Sequence, residues 1–100
     1  MPREFLDVDP RTLRVSFNRP TGADPMKLAR QIARYGASVQ GMPDVWVWRC
    51  KDGLLMIADG MTRATRVADL LPGQTIRVEV TEERPEFDAS SLPTIGDTIP

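Results

Sequence analysis

Three stretches of the chain have the pattern of β-strands: residues 12–17 (TLRVSF), 45–49 (VWVWR) and 75–81 (TIRVEVT). Apolar residues recur at every second position in the first and the third, while the second has large apolar residues on both faces. A fourth stretch, residues 54–58 (LLMIA), is apolar on both faces, as in a central strand. We predict that residues 51–53 (KDG) join the second stretch to the fourth as a hairpin, because Asp-Gly supplies the positive φ angles of a tight turn.

Two other stretches have helical spacing. In residues 24–35, Asp24 followed by Pro25 is typical of an N-cap and the first helical position, and Gly36 follows the last apolar residue. From Met61 onward, small and apolar residues recur at helical spacing until Pro72 and Gly73 interrupt them. The predicted fold is therefore α+β, a small mixed sheet with a β-hairpin and two main helices.

The composition excludes several classes of protein and several kinds of catalysis. The 100 residues, 41% hydrophobic and 27% charged with a net charge of −1, fit one globular core. The chain has no histidine and a single cysteine, which excludes an internal disulfide and any catalysis that uses an imidazole base. The charged N-terminus and the lack of a long apolar run predict a cytoplasmic protein without a membrane partner.

Acidic and basic residues are distributed unevenly along the chain. Residues 82–100 hold five acidic side chains against Arg84, a net charge of −4, while residues 1–81 carry +3. We expect one domain over residues 1–81 and an acidic tail, containing Pro and Ser, over residues 82–100. The tail is either a mobile appendage or a strap that lies over the basic loop described next and competes with anions there.

Three features together resemble the ParB/sulfiredoxin superfamily over roughly residues 13–80: the helix ending at Tyr35-Gly36, the hairpin turn 51–53, and the stretch 57–63 (IADGMTR). Met61 stands where sulfiredoxins have their catalytic cysteine, so the resemblance does not imply sulfinic acid reduction. The proline-containing tail is also a poor match for the helical segment that completes the CTP site of ParB clamps. What the resemblance implies is a phosphate-binding loop in a ParB-like domain, with the nuclease activity attributed to some members.

The residues of this loop support a phosphate site on physical grounds. A glycine corner leads into a helix whose first N–H groups attract anions, and a hydroxyl and two guanidinium groups follow. The predicted phosphate-binding residues are Gly60, Thr62, Arg63 and Arg66. Asp59 is the candidate catalytic base and metal ligand, with Mg²⁺ as the fitting ion. Alternatively, Asp59 only caps the helix, and the two arginines are solvated or paired with Asp69.

Whether the loop is catalytic stays open, because metal-dependent hydrolysis of nucleic acid or nucleotide needs two or more convergent carboxylates. Glu79 and Asp52 are possible companions of Asp59, but Glu79 faces outward in its strand and Asp52 has a sufficient role in the turn. Lys27, Arg30 and Arg34 form a basic helix face that either tracks a nucleic-acid backbone or is simply solvated. Trp46 and Trp48 share one strand face and serve either the core or an interface.

We therefore expect a protein that binds a nucleotide or nucleic acid. The alternative is a non-catalytic interaction module that docks on a protein partner through the two tryptophans and the tail.

Overall fold

The computed structural model describes residues 2–99, which form a four-stranded sheet and three α-helices. The strands are β1 (Glu4–Val8), β2 (Val45–Cys50), β3 (Leu55–Asp59) and β4 (Ile76–Arg84). The helices are α1 (Pro25–Tyr35), α2 (Met61–Leu70) and α3 (Ile95–Thr98). The α+β class predicted from the sequence is confirmed.

The sheet is mixed, with the strand order β1-β4-β2-β3. β1 runs antiparallel to β4, and β2 and β3 form an antiparallel hairpin. β2 and β4 are parallel neighbours, so the chain between them must return across the sheet, and it does so through β3 and α2. This connection lays α2 against one face of the sheet.

The local signals for α1 and the hairpin act as predicted. The Asp24 side chain accepts hydrogen bonds from the amides of Met26 and Lys27, at 2.8 and 3.4 Å, and α1 ends at Gly36 with φ 56°. In the hairpin, Asp52 adopts φ 61° and Gly53 φ 77°, the left-handed conformations that the Asp-Gly pair favours.

Residues 12–17 differ from the prediction, because they do not form a regular strand. Leu13 and Val15 are buried, as the alternation required, but only Arg14 pairs with β3, through Arg14 N to Leu55 O and Ile57 N to Arg14 O, both at 2.9 Å. The first strand is instead β1, whose acidic residues weaken its apolar alternation. Its partner β4 lies far along the chain, so no local signal marked it.

The acidic tail also differs from the mobile segment that its composition suggested. β4 continues to Arg84, and further on Ala89 and Ile95 are completely buried. The backbone of this segment pairs with residues 13–15, through Val15 N to Pro93 O (3.0 Å) and Ile95 N to Leu13 O (2.8 Å). A few well-spaced apolar residues thus anchor an otherwise polar segment.

The main core lies between the sheet and α2. Inward-facing residues of the strands, such as Val47 and Val78, meet Ala64 and Val67 of α2, and Ile95 joins the same cluster. In contrast, α1 has no fully buried residue. It lies at the periphery beside α2, and the space between the two helices is open to solvent on one side. None of the helices in residues 2–99 combines the length and the apolar character needed to cross a bilayer.

Candidate functional site

A polar groove of about 370 Å³ opens between α1 and the first turn of α2. Lys27 of α1 lies on one wall, and the segment from Asp59 to Arg63 forms the other. Arg19, from the loop before α1, also lines the groove. Three cationic side chains therefore face the groove, against the single carboxylate of Asp59 among its lining residues.

The corner between β3 and α2 requires a glycine. Gly60 is the N-cap of α2 and has φ 103°, a conformation that residues with a Cβ rarely adopt. It provides no side-chain cap, and neither does Asp59, which excludes the alternative in which Asp59 caps the helix. The first amide groups of α2, including that of Thr62, therefore lack a side-chain acceptor at the end of the helix that attracts anions.

Arg63 folds back over this corner. Its Nη2 atom donates to the backbone carbonyl of Asp44 at 3.1 Å and lies 3.4 Å from Oδ2 of Asp59. The side chain is 21% exposed, whereas that of Asp59 is 61% exposed. Arg63 thus lies at the groove as expected, although part of its hydrogen-bonding capacity is already used by the protein.

Arg66 corrects the sequence-based assignment. It was expected to be a phosphate ligand beside Arg63, but it is only 2% exposed and does not line the groove. Its Nη1 donates to the carbonyl oxygens of Gly36 and Ser38, at 2.8 and 2.7 Å, and so fixes the chain that leaves α1. A spacing of three residues makes Arg63 and Arg66 neighbours on the helix surface, but it does not determine how deeply each side chain is buried. The hydrogen bonds to Gly36 and Ser38 hold the Arg66 side chain against the end of α1.

The residues present do not fit a protein-held Mg²⁺ ion. Within residues 2–99, no group of three or more Asp, Glu, His or Cys side chains is placed to hold a metal. Asp59 is the one acidic residue that lines the groove, and its carboxylate accepts a hydrogen bond from Nη2 of Arg63. Glu79 points to the opposite face of the sheet, where Arg3 holds it and lowers its pKa. We derive no metal-dependent step from this arrangement.

Arg19 is the cationic groove residue that the sequence pattern did not predict. It lies in the loop between Phe17 and α1, where no periodic pattern marks a functional position. The feature of the sequence that could have marked Arg19 is its place in the polar loop segment Asn18-Arg19-Pro20, in which Asn18 and Arg19 line the groove.

The basic face of α1 is exposed, as an amphipathic helix predicts. Lys27, Arg30 and Arg34 all lie at the surface, but only Lys27 reaches the groove. Arg34 lies 5.3 Å from the ring centre of Tyr35 at the end of the helix. Because Arg66 is buried, it does not extend this basic face.

The two tryptophans have different environments, although they share a strand face. Trp46 is 48% exposed. Trp48 lies beside Phe17, with 6.2 Å between the ring centres, and Phe17 lies 5.9 Å from Phe87 of the tail. Trp48 thus belongs to an apolar cluster that the tail completes, whereas Trp46 stays open to solvent. No residue of the tail lines the groove, so the strap that would compete with anions there is not formed.

Comparison with protein family models, with curated proteins and with solved structures found no match to this chain.

Proposed function

We propose that this protein is a ParB-like domain that binds a phosphate-bearing ligand, a nucleotide or nucleic acid, in the groove between α1 and α2. The observation that carries the proposal is the meeting of Arg19, Lys27 and Arg63 at the uncapped start of α2. Backbone amides at a helix N-terminus and cationic side chains both favour phosphate oxygens, and here they share one open space.

The proposal is for binding, with Asp59 tuning affinity and not holding a metal. Phosphodiester hydrolysis assisted by Mg²⁺ draws on several convergent carboxylates, and the groove offers one. The fold supports the ParB-like assignment in its β-hairpin followed by a glycine corner and a helix.

The test is a titration of the protein with inorganic phosphate, a nucleoside triphosphate and a single-stranded oligonucleotide, at fixed ionic strength. Lys27→Ala and Arg19→Ala remove exposed cations of the groove, so the fold should be retained, and each should weaken binding about tenfold. Arg30→Ala is the matched control, because Arg30 lies on the same helix as Lys27 but outside the groove.

The control also separates the two ligand classes. For a nucleotide, Arg30→Ala should leave affinity unchanged. For a nucleic acid that follows the basic face of α1, it should weaken binding and reduce the salt dependence. Binding of any of the three ligands that is equal in wild type, Lys27→Ala and Arg19→Ala would refute the proposed groove.

Asp59→Asn tests the role of the carboxylate. Removal of its negative charge from a cationic groove should strengthen phosphate binding in the absence of metal. If Asp59 instead holds Mg²⁺, the same variant would lose a Mg²⁺-dependent part of the binding.

A further inference from the structure

Arg66 is the most deeply buried arginine with a described side chain, and it has no acidic partner. Arg3, Arg49, Arg63, Arg77 and Arg84 each lie within 4 Å of a carboxylate, although their side chains are 21% to 69% exposed. Arg66 is 2% exposed, and no carboxylate in residues 2–99 comes within that distance of it.

The groups that contact the Arg66 guanidinium directly are all neutral. Besides the two carbonyl oxygens already described, Nε donates to Oε1 of Gln31 at 3.3 Å. The contact of Nη2 is the sulfur of Met42 at 3.5 Å, and sulfur is a weak acceptor. The ring of Tyr35 lies 5.4 Å from the guanidinium carbon. A buried charge is normally compensated by an opposite charge, so this environment leaves positive potential unneutralised.

Arg66 lines a second cavity, so its uncompensated charge lies at the wall of that cavity. The loop pocket, as we call the space of about 250 Å³ bounded by Tyr35, Ser38, residues 40–43, Arg63 and Arg66, has no acidic residue in its lining. Within residues 2–99, the Nε atom of Arg63 is buried and finds no hydrogen-bond acceptor. Two guanidinium groups therefore border one small cavity, and the donor of Arg63 that has no acceptor is itself shielded from solvent.

The rest of the loop pocket has a different character. Tyr35, Met42 and Pro43 provide apolar surface, while Gln31 and Gln40 add neutral amide groups. We propose that the loop pocket binds a small carboxylic acid. The carboxylate lies toward Arg63 and Arg66, and a compact carbon body contacts Tyr35, Met42 and Pro43. This site is separate from the phosphate groove, which it adjoins at Gln31 and Arg63.

Three small ligands test separately how the carboxylate charge and the carbon body contribute to binding in the loop pocket. Benzoate carries both, benzamide keeps the ring without the charge, and acetate keeps the charge without the ring. We expect benzoate at ten times its Kd to raise the melting temperature by about 6–11 °C, with smaller effects of acetate and none of benzamide at equal concentration. An equal response to benzoate and benzamide would contradict a carboxylate site.

A single substitution provides the anion from within the chain. Gln40→Glu introduces a carboxylate of nearly the same shape into an exposed position of the loop pocket. It should raise the melting temperature of the free protein and abolish the response to benzoate. Gln74→Glu is the matched control, since Gln74 is exposed and lines neither cavity, and it should do neither. A Gln40→Glu protein that responds to benzoate like wild type would overturn the proposal.

A second measurement does not depend on any variant at the pocket. In an ¹⁵N NMR titration of the wild-type protein, the Nε–H signals of Arg63 and Arg66 should move together with benzoate concentration. Unmoved signals at saturation would also overturn the proposal. Lys27→Ala should keep the full benzoate response while it loses phosphate affinity, so failure of the loop pocket and failure of the phosphate groove can be told apart.

Discussion

The Nη2 atom of Arg63 lies 2.8 Å from the position that a Cβ atom would take on Gly60. A methyl group at residue 60 would also come within 3.1 Å of Cγ2 of Val45, and the backbone there has φ 103°. The close approach of Arg63 to Gly60 therefore depends on the absence of a side chain.

We predict that Gly60→Ala destabilises the protein by about 1–3 kcal/mol, because it combines left-handed strain with displacement of Arg63. Urea denaturation measures this loss. Gly41→Ala is the control for backbone strain alone, since Gly41 also has positive φ, but a Cβ added there would meet no described atom within 4 Å outside Gly41 and its two chain neighbours. Equal losses in the two variants would show that the contact with Arg63 is unimportant.

Ile95 tests how firmly the acidic segment is integrated. Its side chain is fully buried in the main core, so Ile95→Ala should cost about 2–4 kcal/mol through lost burial and the remaining cavity. Ile99→Ala, at a partly buried position near the end of the described chain, should cost less. A change below about 0.5 kcal/mol for Ile95→Ala, measured by urea denaturation, would indicate that residues 85–99 do not pack on the domain in solution.

Arg66→Met should destabilise the protein by about 1–3 kcal/mol, because it leaves the carbonyl groups of Gly36 and Ser38 without their donor. Arg30→Met is the matched control on an exposed helix position and should stay within about 0.5 kcal/mol of wild type. Chemical denaturation of both variants provides the comparison. If the two variants have the same stability, Arg66 does not anchor the chain after α1.

Asp24 should make the stability of α1 depend on pH. The amides of Met26 and Lys27 hold the pKa of this carboxyl group below its ordinary value. Its contribution to stability is therefore complete above the unfolded pKa, about 3.9, and is lost as the pH falls through the lower folded pKa. NMR titration of the Asp24 carboxyl carbon measures the folded value directly.

Asp24→Asn is the natural comparison, because an amide oxygen also accepts hydrogen bonds at an N-cap but does not titrate. The stability of wild type relative to Asp24→Asn should fall as the pH drops from about 5 to about 2, because only the wild-type cap is protonated. A difference that stays constant over this range would rule out the capping carboxylate as its cause.

The parts of the fold that the sequence predicted are those with a local cause. Asp24-Pro25 sets the start of α1, and the Asp52-Gly53 turn sets the hairpin, within a few residues of the structure they determine. β1 was missed because its stability comes from pairing with β4, a relationship that leaves no mark in five residues.

The same distinction holds for the candidate site. The glycine corner and Arg63 were found because they are neighbours in the chain. Arg66 was misplaced because its acceptors, Gly36 and Ser38, lie 30 and 28 positions away. Arg19 was overlooked because it enters the groove from a loop, where position is set by tertiary contacts and not by periodicity.

The pairing of β1 with β4 has a consequence for the order of events on the ribosome. Arg3 and Glu79, which are joined by two hydrogen bonds, are 76 positions apart. β1 must therefore wait until β4 has been synthesised before it can pair at the sheet edge. Contacts of such long sequence separation slow folding, so β1 is the strand that we expect to stay unpaired longest during synthesis of this domain.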